Sequence, residues 1–148
     1  METGNTYVYF ALTGDNFDPQ IVTERIGVTP TEKWNKGDKG KYKPTLDYSC
    51  WKLSAEKGKE HIMVNSLVDE VIGQLFDKIE IINELKKQFD LDSGLEIVMY
   101  VDTNEEQSTP ALGYDLKTSE FLYRTQTKAD VDIYRFNSAN NETEKNTL

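Results

Sequence analysis

Two aspartates, Asp130 and Asp132, stand two residues apart in Asp130-Val131-Asp132-Ile133-Tyr134, where polar and apolar residues alternate. On a strand this spacing puts both carboxylates on one face. Such a pair can hold a cation or divide acid and base roles; a solvated or lysine-paired strand edge is the ordinary alternative. Other reactive types are sparse. The chain has one cysteine, Cys50, and one histidine, His61. Nucleophilic catalysis needs a base held by a third group, and no nucleophile motif surrounds either residue. A Cys/His zinc site needs about four ligands, more than this chain supplies. Asp90-Leu91-Asp92-Ser93-Gly94 starts like a calcium loop, yet it lacks the third oxygen ligand before the glycine and the closing glutamate. It reads as a turn from helix to strand. No glycine-rich nucleotide motif occurs. The chain is therefore read as a protein that is not an enzyme and needs no cofactor and no metal.

Two features suit binding. Between Glu32 and Lys43 five lysines (33, 36, 39, 41 and 43) face only Glu32 and Asp38, so this stretch is basic in an acidic chain. Trp34 and Tyr42 are interleaved with Lys36, Lys39 and Lys41. Ammonium groups beside aromatic rings are what an anion or a stacked base would meet. The second feature is the net charge of −9 over 148 residues. That sign repels nucleic-acid phosphates and anionic membranes, and it suits a basic protein or serves solubility alone. Candidate contacts for a basic partner are Asp69, Glu70, Asp77, Glu80 and Glu84 on the outer faces of predicted helices, with Glu105 and Glu106 in a polar loop.

The elements that must position these residues follow from hydrophobic period. Thr6–Thr13 reads as an interior strand with apolar or aromatic groups on both faces, and Gly14 ends it. Asp18 is placed as a helix N-cap, Pro19 as the first helical residue, Phe17 and Val22 as a staple, and Gly27 as the stop. Residues 29–47 carry no apolar period and read as one long irregular segment. Without such anchoring, and with two glycines and mutually repelling lysines, the stretch from Trp34 to Lys43 is expected to be weakly ordered, with Trp34 partly buried.

Tyr48–Ser54 reads as a strand and Ala55–Glu60 as a charged turn. Leu67, Val68, Val71, Ile72 and Leu75, then Ile79, Ile82, Leu85 and Phe89, make two helical stripes. A break near Asp77, restarted by a capping box with Glu80, separates them. Leu95–Asp102 alternates cleanly as a strand. Ala111–Tyr114 is predicted to be a short strand, Lys117–Gln126 a helix and Asp130–Phe136 the last strand. The fold class is α+β, a mostly antiparallel sheet of about five strands with helices on one face. One domain is expected over residues 1–136, with a flexible tail over 137–148. With no apolar run after a basic N-terminal region, no span of about 20 apolar residues and no possible internal disulfide, the chain is read as cytoplasmic.

Several stretches together resemble the bacterial family filed as domain of unknown function 4279. They are Tyr7–Gly14, Phe17-Asp18-Pro19, Ile26–Pro30, the Lys36-Gly37 turn, Trp51–Ser54 and Ala129–Tyr134. The likeness spans about residues 6 to 136. It implies a bacterial source and these domain bounds, and it carries no reaction. Size and charge are also similar to those of immunity proteins that neutralise toxin domains. The expectation is a non-enzymatic protein-interaction domain, with an immunity protein against a basic toxin as its specific form. The alternative is a small-ligand or anion-binding module that uses the lysine-rich loop.

Overall fold

A computed structural model of the chain describes residues 5–56 and 63–140. His61 and most of the expected charged turn lie outside them. One open sheet is ordered β2-β3-β1-β4-β5. Its strands are β1 (Tyr7–Gly14), β2 (Glu32–Trp34), β3 (Ser49–Glu56), β4 (Asp92–Asp102) and β5 (Lys128–Phe136). β1 lies at the centre, antiparallel to both β3 and β4; β2 is antiparallel to β3, and only β4 and β5 run parallel. A parallel pair needs a long crossover. A polar loop and α4 (Leu116–Thr125) supply it.

The helices α1 (Pro19–Ile26), α2 (Val64–Leu75) and α3 (Ile79–Phe89) join α4 in a layer over one side of the sheet. The strands dictate which side. Val8, Phe10 and Leu12 of β1 are buried, as are Trp51, Leu53 and Ala55 of β3 and Leu95, Ile97 and Met99 of β4. The pairing register puts these residues on one face. Leu67, Val71, Leu75, Ile82 and Leu85 meet them from the helices, all fully buried. Phe121 of α4 meets the Phe10 ring edge-on at 5.6 Å. No described helix is long and apolar enough to cross a membrane.

Local chemistry sets the ends. The Asp18 carboxylate accepts the Gln20 amide at 2.9 Å, Pro19 opens α1, and Gly27 closes it with a φ of 76°. Gly14 packs closely: a Cβ there would lie 2.7 Å from a Leu91 methyl and 3.1 Å from the Phe17 ring, so the Leu91 side chain would have to shift. Lys86 fastens three elements at once. Its ammonium donates to Ser93 Oγ at 2.7 Å and to the Thr125 and Gln126 carbonyls at 2.6 and 3.3 Å, and burial holds its pKa below the ordinary lysine value.

Three local expectations change. Residues 32–34 form an edge strand inside the segment read as irregular, because pairing with β3 supplies what a three-residue run cannot show as a period. Ala111–Tyr114 is not a strand: Leu112 packs onto the core, and the Gly113 amide is taken by Asn65 Oδ1 at 3.0 Å. The helical break falls at a 3-10 turn, Phe76–Lys78; Asp77 sits inside it, and the N-cap of α3 is Lys78, without a side-chain cap bond. At the C-terminus the Ser138 amide donates to Asp102 Oδ1 at 3.2 Å, and its hydroxyl accepts Asn104 Nδ2 at 3.0 Å. Those bonds tie the start of the expected tail to the end of β4. Residues 141–148 lie outside the described set.

Candidate functional site

The lysine-rich loop is built on hydrogen bonds. Asp38 Oδ2 accepts the Asn35 amide at 2.8 Å, and Gly37 and Leu46 close the base through Gly37 N to Leu46 O and Leu46 N to Asp38 O, both 2.8 Å. The buried Ser49 hydroxyl accepts the Lys36 amide at 2.9 Å and the Phe17 amide at 3.3 Å. Both glycines are required by geometry. Gly37 has a φ of 92°, and a Cβ on Gly40 would lie 2.5 Å from the Lys43 carbonyl oxygen. These bonds anchor the segment where the sequence shows no anchoring.

Its lysines do not converge. Lys33 donates to Gln20 Oε1 at 2.6 Å, Lys36 pairs with Asp15 at 3.0 Å, and Lys43 pairs with Asp47 at 3.0 Å. Lys41 lies 5.3 Å from the ring centre of Tyr42, itself 89% exposed, and Lys39 is exposed. An anion at Lys36 or Lys43 would have to compete with carboxylates already in place.

The sequence-selected acids scatter. Asp69 and Glu70 are on α2, Asp77 is in the 3-10 turn, Glu80 and Glu84 are on α3, and Glu105 and Glu106 are in the loop after β4. All are exposed. Glu84 already accepts Arg25 at 2.8 Å. The helical members point away from the sheet.

The sheet face opposite the helices gathers a different set. Register runs Ser54, Tyr9, Glu96 and Asp130 side by side on neighbouring strands, with Tyr7, Val98 and Asp132 in the next row. Tyr7 stacks on Tyr9 at 6.2 Å, and Tyr100 stacks on Tyr134 at 5.2 Å. Toward β2, Trp34 meets Tyr48 edge-on at 5.6 Å. The Lys52 ammonium lies 4.3 Å from the Tyr9 ring centre and 5.5 Å from that of Trp34, with Glu32 at 3.5 Å. Cation–π contact and the carboxylate thus hold Lys52 against the face. Gly94 and Ala11 form the low floor between these groups, and a Cβ on Gly94 would meet nothing within 4 Å.

Asp130 and Asp132 therefore share a face, as their spacing predicts, and Glu96 joins them from β4. Desolvation, then a hydrogen bond to Asp132, then the charges of Asp132 and Asp130 push the Glu96 pKa up to about 7. None of the three carboxylates has a salt bridge among the described residues. Nor do the described residues hold a group of three or more acidic, histidine or cysteine side chains arranged for a metal ion. Cys50, opposite Trp34 in the ladder, is buried, and desolvation raises its thiol pKa to about 12. It is no nucleophile in this setting.

The family model described as a domain of unknown function, DUF4279, matches residues 4–136. The chain belongs to this family. The match runs from just before β1 to the end of β5, so it covers every strand of the face and the whole helical layer. No curated protein and no solved structure matches the chain.

Sequence reasoning missed Tyr7, Tyr9, Lys52, Glu96, Tyr100 and Tyr134. The signal was present as a period of two. Tyr7 and Tyr9 are in phase with each other and out of phase with Val8, Phe10 and Leu12, and Glu96, Val98 and Tyr100 alternate with Leu95, Ile97 and Met99. Because tyrosine counts as apolar, β1 reads as covered on both sides, yet Tyr7, Tyr9 and Ala11 are only half-buried.

Proposed function

We propose that this chain is a non-enzymatic protein-interaction domain whose partner docks on the sheet face the helices leave uncovered, and that its specific role is that of an immunity protein neutralising a basic toxin domain. The observation that supports the reading is the composition of that face. Half-buried tyrosines and a tryptophan stand beside three carboxylates that lack a cation among the described residues. Rigid aromatic side chains dominate protein interfaces because they contribute large area at low entropic cost. The two aspartates, which lack a salt bridge among the described residues, select a basic partner and, with a net charge of −9, speed its approach.

The alternative, small-ligand or anion binding at the lysine-rich loop, has one observation of its own: Trp34 Nε1 is buried without an acceptor among the described residues. The pairing of Lys36 and Lys43 with carboxylates weighs against it.

The test is a partner captured on the immobilised chain from the producing cell, purified, and titrated against two variants. Gly94→Trp adds bulk to the floor of the face, where a Cβ would meet nothing within 4 Å. Glu80→Lys reverses a charge on the helical side. The reading expects at least a tenfold loss of affinity for Gly94→Trp and little change for Glu80→Lys. The reverse pattern would move the interface to the helices, and repeated capture of no protein would remove the reading.

A further inference from the structure

The two edges of the sheet are unequal. β2 pairs over three residues, and Trp34 leads straight into a hydrogen-bonded loop. β5 is nine residues long and stays in unbroken register with β4 from Gly94↔Lys128 to Asp102↔Phe136. Its outer side has no strand partner among the described residues. It contains no proline and no bulge; of the usual devices that blunt an edge it carries charged side chains alone, Lys128, Asp130, Asp132 and Arg135. The strand is exposed along most of its length, including Val131 at 37%, Ile133 at 59% and Tyr134 at 45%. Its two faces differ in character: Asp130 and Asp132 line up with Glu96 on one, and Val131 and Ile133 lie on the other.

We infer that the outer edge of β5 is a strand-addition site for an extended segment of the partner, with lysine or arginine at alternate positions and apolar residues between them. The inference rests on the protein-interaction reading and specifies how the partner attaches. Main-chain hydrogen bonds to the free edge supply affinity, and alternate side chains supply specificity. Basic residues of the incoming strand fall beside Asp130 and Asp132, and apolar residues beside Val131 and Ile133. Charge also argues against a second copy as the occupant. Antiparallel self-pairing over all nine residues sets Asp132 opposite itself, and the register centred on Val131 sets Asp130 opposite Asp132. Like charges directly opposite destabilise a ladder.

The experiment uses the full chain and three blocked octapeptides: alternating lysine and valine, the same peptide N-methylated at every second residue, and alternating glutamate and valine. Binding is read by calorimetry, and β5 amide exchange by mass spectrometry. The lysine–valine peptide is expected to bind and slow exchange across residues 128–136. N-methylation and the glutamate–valine exchange should each weaken binding at least tenfold, as should Asp130→Lys with Asp132→Lys in the protein. Equal binding of the N-methylated peptide would show charge attraction without strand addition and overturn the inference, as would no binding of any peptide. Slow exchange of the outward β5 amides in the free chain, or a dimer held through β5, would also overturn it by showing the edge already occupied. If the purified partner is lost with Gly94→Trp while the peptide results fail, the interaction reading stands and this inference alone falls.

Discussion

Glu96 shows how a side chain's meaning depends on its neighbours across strands. In sequence it is one polar residue in an alternating strand; in the fold it stands beside Asp130 and Asp132, and burial and their carboxylates favour its protonated form. Its folded pKa, about 7, exceeds the ordinary glutamate value of 4.5. The native state therefore keeps a proton that the unfolded chain releases. This contribution is complete below the ordinary value and is lost as pH rises through about 7. Glu96→Gln keeps the shape and cannot ionise. In paired thermal melts the variant should gain on the native chain between pH 5 and pH 8, and parallel curves would contradict the assignment. Cys50 gives a second check. Buried and with its thiol pKa raised to about 12, it should resist a thiol reagent in the folded protein and react once denaturant is added. Labelling of the native protein at the rate of a free thiol would contradict that burial.

Elements with their own periodic signal are legible in the sequence. The two stripes ending at Leu75 and starting at Ile79 predict two helices with a break, and both form. The cap at Asp18 and the stop at Gly27 form as their residue types require. What escapes depends on partners distant in the chain. β2 exists because Lys33 finds Trp51, and the lysine-rich loop holds its shape because Ser49 accepts the amides of Phe17 and Lys36. Ser49→Ala would leave both amides without that acceptor, at a cost of about 1–3 kcal/mol. Denaturant unfolding measures the cost, and exchange at residues 36–46 should rise in the variant. A neutral effect on both would mean that the hydroxyl holds nothing. At the N-terminus of α1, Asp18→Ala should cost about 1 kcal/mol, because one helix amide loses its acceptor.

At the scale of the molecule, one layer of helices covers one side of a five-stranded sheet and leaves aromatic and acidic side chains on the other. The α+β class and the position of the core follow from sequence period, so both are legible. The candidate face is harder to read, because its members come from five strands and meet only through register. Asp130 and Asp132 point to it by local spacing, whereas Tyr9, Lys52 and Glu96 do not. Charge counting leads instead to the helical acids, which are numerous and exposed but spread over several elements. The decisive comparison is hydroxyl-radical footprinting of the chain free and bound to its purified partner. Tyr100, Tyr134 and Trp34 on the sheet face should be protected in the complex, while Tyr123, 78% exposed on α4, should oxidise as before. Protection of Tyr123 with unchanged oxidation of Tyr100 and Tyr134 would place the partner on the helices and contradict the account.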